Sequence, residues 1–270
     1  MNSSAYLYSG LGNKILIVDL IHQTAKINSK QVQFLNEKER FDQVLVLEPP
    51  RLPDTDYSVV IYNCDGSKAK NCINGARCLA KYIFDRGLAL RNFIKIDTDW
   101  AFWELAKKEG LYEVSFSLGV DNKKDGSQYY KGRSNIFLEG HEIIVNEVNI
   151  GNDHAVMFVP NLDERLLATL GESAQKSTYF LDGINIGMAV IKSKSEINLR
   201  VYERAAGMTD ACGSGACAAV ICATRDNRVD GEVTVNFKKG SLLVNYEIAS
   251  EKVTVLGEAK FIKEINLNYV

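Results

Sequence analysis

Residues 209–222 read Thr-Asp-Ala-Cys-Gly-Ser-Gly-Ala-Cys-Ala-Ala-Val-Ile-Cys. Cys212 stands directly before Gly213, Ser214 and Gly215, and the alanine-rich run after them has helical character. This layout predicts a thiol at a helix N-terminus, where unpaired N–H groups and the positive end of the helix dipole favour an anion. A thiolate at Cys212 is therefore expected, with its pKa lowered. The same N–H groups suit a substrate carboxylate. Upstream, Cys72-Ile73-Asn74-Gly75-Ala76-Arg77-Cys78 repeats the pattern Cys-x-(Asn/Ser)-Gly-Ala at an offset of 140 residues (212 − 72). Gly12-Asn13 lies over Gly151-Asn152 at an offset of 139 (152 − 13). Two motifs recurring at nearly one interval imply two halves of one architecture, each presenting a cysteine at the start of a helix.

The whole chain has 270 residues, 46% of them hydrophobic and 24% charged, which describes an ordinary globular protein with room for two domains. A net charge of −2 gives no electrostatic footprint for nucleic acid or a membrane surface. The densest basic stretch, residues 122–133, contains Asp125-Gly126 and reads as a solvated turn. No leader pattern and no run long enough to span a bilayer is visible, so a cytoplasmic location is expected. The six cysteines would then be reduced. They include no Cys-x-x-Cys pair and no nearby histidine, so no zinc site is expected.

Apolar or β-branched runs at 15–18, 43–47, 57–62, 94–98, 102–105 and 112–116 predict strands in the first half. Gly10-Leu11-Gly12-Asn13 reads as the loop feeding the first of these, and residues 63–67 as a turn cluster. Ala76, Leu79, Ala80, Ile83 and Phe84 fall on one face of a helix that Gly87 stops, and its other face is too weakly charged for a surface helix. Gly119 marks a boundary. The second half repeats the theme, with strands at 143–150, 155–159, 184–191, 197–202, 233–237, 242–248 and 253–256. A short helix is expected at 162–170, and the cysteine helix runs to about Arg225. Many strands around one apolar helix per half predict an α+β fold with the helix wrapped by sheet.

Five motifs in register carry a resemblance: residues 63–67 (Asn-Cys-Asp-Gly-Ser), 72–78, 151–154 (Gly-Asn-Asp-His), 200–204 (Arg-Val-Tyr-Glu-Arg) and 209–216. In order and spacing they resemble diaminopimelate epimerase from Gly10 to about Leu256. The resemblance implies two pseudo-symmetric domains, each a mostly antiparallel sheet around a central helix: 1–117 with 257–270 carrying Cys72, and 118–256 carrying Cys212. It implies cofactor-independent, two-thiol epimerisation of LL-diaminopimelate to meso-diaminopimelate, in lysine and peptidoglycan precursor biosynthesis, by a homodimer. The substrate contacts it implies are Asn13, Gln43, Asn63, Asn74, Gly75, Asn152, His154, Asn185, Glu203, Arg204, Gly213 and Ser214. Of these, Asn63, Asn152, Asn185 and Arg204 would grip the second amino acid head.

Physical reasoning supports the paired thiols: an amino acid α-proton is weakly acidic, and inversion needs a base on one face and an acid on the other. Helix N-termini at Asn74-Gly75 and Gly213-Ser214 would hold the carboxylate as charge develops. A cysteine is more often a small buried hydrophobe, and that is the reading for Cys64, Cys78, Cys217 and Cys222. His22 and His141 read as surface residues. Ile73, Met208, Lys14, Ser9 and Asp153 depart from the family pattern, and Ile73 is expected to crowd the helix N-terminus. Another amino acid racemase on the same fold is one alternative. The other is a nucleotide-binding oxidoreductase using the Gly-x-Gly-x-x-Ala run from Gly213 through Gly215, which requires a strand leading directly into Gly213.

Overall fold

The computed structural model describes residues 4–22, 27–118, 129–204 and 206–267. Two compact units make up the chain: Met1–Phe116 together with Leu256–Val270, and Ser117–Val255. The first opens with β1 (Ser4–Gly10) and β2 (Asn13–Asp19), an antiparallel hairpin. Its turn residues Leu11 and Gly12 both take positive φ, the geometry that matches the twist of paired strands. There follow α1 (Ser29–Glu39), β3 (Gln43–Glu48), β4 (Tyr57–Asn63), β5 (Lys68–Ala69), α2 (Ile73–Asp85), β6 (Phe93–Thr98), β7 (Phe102–Lys108) and β8 (Leu111–Ser117). The pairs β2–β3 and β4–β6 are parallel and bracket α1 and α2 as crossovers, while β1–β2, β3–β4, β6–β7 and β7–β8 are antiparallel.

The second unit repeats this order after an added first strand, β9 (Tyr130–Leu138). Then come β10 (His141–Asn149), β11 (Asp153–Phe158), α3 (Glu164–Lys176), β12 (Asn185–Ser193), β13 (Glu196–Glu203) and β14 (Gly207–Thr209). They are followed by α4 (Gly213–Arg225), β15 (Glu232–Phe237), β16 (Gly240–Glu247) and β17 (Lys252–Gly257). Here β11–β12 and β13–β15 are the parallel pairs, around α3 and α4. A last strand, β18 (Lys260–Asn266), returns to the first unit and pairs with β1, as β9 pairs with β10. The fold is α+β with two pseudo-symmetric halves, each a mostly antiparallel sheet around one helix.

The packing explains why β2 reads as an unbroken apolar run. Leu16 and Val18 join Val44 and Val46 of β3 and Val32 and Leu35 of α1 in one core on one face of the sheet. Ile15, Ile17 and Leu45 point to the other face by the two-residue period, and Leu45 reaches Gly75 of α2. Helix α2 touches β1, β2, β3 and β7 and is buried from Ile73 to Ala80 without a break. Its counterpart α4 is buried from Gly213 to Ala223 and touches β10, β11, β12, β13 and β16. A helix buried over so many consecutive residues lies inside a core, as both of these do.

Some elements differ from the expectation. Helix α1 carries no obvious apolar stripe, because only Val32 and Leu35 are buried; a capping box between Asn28 and Gln31 starts it. The short helix expected at 162–170 begins at Glu164 and continues to Lys176. Strands β9 and β18 were not expected, being largely exposed; nor were β5 and β14, with two and three residues. The Gly119 boundary and the Asp125-Gly126 turn lie outside the described residues. Arg133, at the end of that basic stretch, sits within β9 and pairs with Asp226 at 3.1 Å.

Candidate active site

In the first unit the parallel crossover β4–α2–β6 sets the geometry. Asn13 and Gln43 begin β2 and β3 and Asn63 ends β4, so all three lie at the same end of the sheet. The Gln43 amide donates to Asn63 Oδ1 at 3.0 Å, and Asn63 Nδ2 donates to Ser67 Oγ at 3.0 Å. Cys72 is the N-cap of α2, and its Sγ accepts the Gly75 N–H at 3.1 Å. Gly75 has no alternative residue here, since an added Cβ would stand 2.8 Å from both Cys72 Sγ and Leu45 Cδ1. Beneath the first turn lies Arg77, fully buried, which donates to Asn74 Oδ1 at 2.7 Å and to the Ile73 carbonyl at 3.1 Å. It fixes the Asn74 amide and adds a buried positive charge to a helix end that already favours anions.

Ile73, 1% exposed, is buried in the core. Met208 packs against the α3 core of the second unit, Ser9 Oγ accepts the Gly12 N–H, and Lys14 offers its N–H to Asp42. These departures from the family pattern are absorbed by packing and turns.

The second unit gathers the corresponding residues at the corresponding strand ends. His154 and Asn185 sit opposite each other at the starts of β11 and β12, and Glu203 ends β13. Cys212, 3% exposed, caps α4 and accepts the Gly215 N–H at 3.4 Å. Ser214 Oγ lies 3.4 Å from Cys212 Sγ, 3.1 Å from His154 Nε2, and accepts from Asn152 Nδ2 at 3.2 Å. Burial pushes the pKa of His154 down to about 3, so the ring is neutral. Its Nδ1 is buried without a hydrogen-bond partner. A bare lone pair costs less there than an orphaned N–H, which assigns the proton to Nε2. Asn152 and His154 then fill both lone pairs of Ser214, whose own proton points at the sulfur.

The expected lowering of the Cys212 pKa is overturned. Its thiol is raised well above the ordinary value, first by burial and then by the Glu203 carboxylate, to which it also hydrogen-bonds. Ser214 and the Gly215 N–H pull the other way without prevailing. Glu203 is held in turn by Thr209, whose hydroxyl donates to it at 2.6 Å. Arg204 is exposed: its N–H goes to Asn185 Oδ1 at 3.1 Å and Nη1 to the Asp182 carbonyl at 3.3 Å. Asn185 Nδ2 donates to the Asp153 carbonyl at 2.8 Å, so this amide braces the backbone at Arg204. The sequence reading assigned no part to Arg77 or Thr209. A charged residue inside the apolar helix pattern was the available signal for Arg77.

Cys78 and Cys222 are buried thiols with raised pKa values, Cys78 to about 12, and Cys217 is equally buried, in keeping with a packing role. Strand β14 ends at Thr209, short of Gly213, and Cys212 rather than a strand leads into α4, so the dinucleotide fingerprint lacks its context. Among the described residues no three His, Cys, Asp or Glu side chains come together as metal ligands.

Residues 147–262 match the diaminopimelate epimerase family. A diaminopimelate epimerase from Ectopseudomonas mendocina is 31% identical over 264 residues, 94% of this chain and 95% of the relative. One from Teredinibacter turnerae is 34% identical, covering 93% and 94%. Among solved structures, a predicted epimerase from Pseudomonas aeruginosa gives a TM-score of 0.72 at 11% identity, covering 99% and 100%. A hydroxyproline epimerase from Agrobacterium vitis gives 0.70 at 12%, covering 99% and 93%, so both share the fold. With relatives this similar over nearly their whole length, the chain belongs to the diaminopimelate epimerase family and is an isomerase.

Proposed function

We propose that this enzyme converts LL-diaminopimelate to meso-diaminopimelate without a cofactor, supplying lysine and peptidoglycan precursors, and that Cys72 and Cys212 serve opposite faces of the α-carbon. One observation carries the proposal: each unit holds a buried cysteine as the N-cap of its central helix, with polar side chains gathered at the matching end of the sheet. The diaminopimelate epimerase relatives, matched over nearly their whole length, support this choice of substrate. The resemblance extends the proposal to a cytoplasmic homodimer.

In one direction Cys72 takes the α-proton and Cys212 returns one from the other side; in reverse the roles exchange. Burial and Glu203 keep Cys212 a thiol, which suits the donor. Once the proton has left, Ser214, itself held by His154 and Asn152, and the Gly215 N–H favour the thiolate, while Glu203 favours the return of a proton. N–H groups at the starts of α2 and α4 face the substrate carboxylate, whose charge grows in the transition state. Asn63, Asn152, Asn185 and Arg204 hold the distal head. The Arg204 fork offers that carboxylate a bidentate pair that lysine cannot reproduce.

The test is incubation with LL-diaminopimelate in deuterated water, with no cofactor added, followed by chiral analysis and mass measurement. Formation of meso product carrying one deuterium at the inverted carbon is expected. Cys72→Ala and Cys212→Ala should each abolish inversion, and Cys78→Ala should keep most of it. Near-normal turnover by either of the first two variants would remove the two-thiol mechanism, and faster inversion of a one-headed amino acid would remove the substrate.

A further inference from the structure

The distal head of the substrate depends on Arg204, yet Arg204 is an exposed side chain at a strand end, and a long, exposed guanidinium ordinarily samples many rotamers. Here it is held. Its N–H is fixed by Asn185, its stem lies against Gly183, and Nη1 reaches the Asp182 carbonyl. Three of its restraints therefore come from residues 182–185, and the placement of that segment decides where the guanidinium points.

The Gly183 N–H bonds to the Phe180 carbonyl and Asn185 is held by Asp153 and β11; between them, Ile184 is fastened by one side chain. Gln175, in the last turn of α3, donates from Nε2 to the Ile184 carbonyl at 2.9 Å and accepts the Ile184 N–H on Oε1 at 3.3 Å. Its carboxamide thus pairs with both backbone groups of Ile184 as a neighbouring strand would. Nε2 also donates to the Gly171 carbonyl at 2.9 Å, which ties the amide to its own helix. Gly183 lets the amide and the arginine stem approach each other: a Cβ there would lie 2.5 Å from Gln175 Oε1 and 3.1 Å from Arg204 Cγ. With φ at +69°, the position also disfavours any side chain.

We infer that Gln175, with Gly183 between them, is a positioning residue that aims Arg204 at the substrate's distal carboxylate and so selects the two-headed substrate. This rests on the reading of Arg204 given above. Leucine at position 175 fills a similar volume and removes the pairing with Ile184, loosening the chain between Gly183 and Asn185 and the guanidinium with it.

The experiment is a double-mutant cycle on diaminopimelate with the full chain: parent, Gln175→Leu, Arg204→Ala and the combination, each measured for kcat and KM. Gln175→Leu should lower kcat/KM about tenfold, chiefly through KM. In the Arg204→Ala background the same change should alter kcat/KM by less than about twofold, because the group it aims is gone. Gly183→Ala, taken round the same cycle, repeats the test should Gln175→Leu fold poorly. A loss of equal size in both backgrounds would show a general structural effect and overturn the inference, as would an unimpaired Gln175→Leu. If Arg204→Ala alone leaves kcat/KM unchanged, the distal reading of Arg204 fails first and this inference goes with it.

Discussion

At Cys212 two physical terms compete, and their sizes explain the outcome. A helix N-terminus stabilises an anion by roughly 0.3–1 kcal/mol at a surface and up to about 2 in a buried geometry. Desolvation of a fully buried group shifts its pKa by up to about 3–5 units, each worth about 1.4 kcal/mol. With Glu203 adding a like charge, the neutral thiol prevails. Local spacing fixes a helix cap and so placed Cys212 and Cys72, whereas His154 and Glu203, on strands, came from the resemblance. Which side chain meets the sulfur depends on strands meeting across the sheet, and local spacing carries none of that. His154 offers a test with a defined sign. Its pKa is ordinarily near 6.5 and is depressed to about 3 in the folded protein. Between those values the unfolded chain holds about one more proton, so stability falls as pH falls, by up to about 1.4 kcal/mol per pH unit. Urea midpoints from pH 7 to 4 should therefore drop more steeply in the parent than in His154→Asn. Parallel slopes would mean that the ring is protonated in the fold.

Helix α3 shows how an element can be visible in part. Leu167, Leu170 and Ala174 supply its apolar stripe, and the short apolar run alone suggested a helix ending near 170. Its last turn is kept by contacts that no periodicity announces: Gln175 with Ile184, and Gly171 under the ring of Tyr202. An added Cβ at Gly171 would fall 2.1 Å from Tyr202 Cγ. Alanine in place of a helical glycine ordinarily stabilises by about 0.5–1 kcal/mol. Overpacking a tight contact costs about 1–3 kcal/mol. The clash outweighs the propensity gain, and Gly171→Ala should lower stability by about 1–2 kcal/mol in urea denaturation. A rise in midpoint would mean that the ring moves aside without cost. Helix α4 was legible because nearly every face is apolar and α2 because Ala76, Leu79, Ala80 and Ile83 make a clear face, whereas α1 was not, since two buried residues in eleven make no stripe.

Over the whole chain, the cysteine repeat exposed the duplication, and the matching strand pairings bear it out. The repeat alone gave no sign that the C-terminal segment belongs to the first unit; that assignment of 257–270 came from the family resemblance. Strand β18 pairs along β1, and Ile265 and Leu267 enter the core built by β1 to β4 and α1. Burying two such side chains contributes about 1.5–3 kcal/mol each. A chain ending at Glu258 should therefore lose amide hydrogen-exchange protection in β1 and β2 while β12 and β13 keep theirs. Equal loss in both units would show that they unfold as one. The pairing of β1 with β18 also sets a timetable for synthesis. On the ribosome the second unit has all of its residues by Val255, while the half begun first still presents the bare edge of β1. Strand β1 must wait for β18, made after the whole of the second unit. A chain released early therefore carries an unpaired, apolar strand edge, the kind of surface that marks an unfinished protein for chaperones or proteolysis.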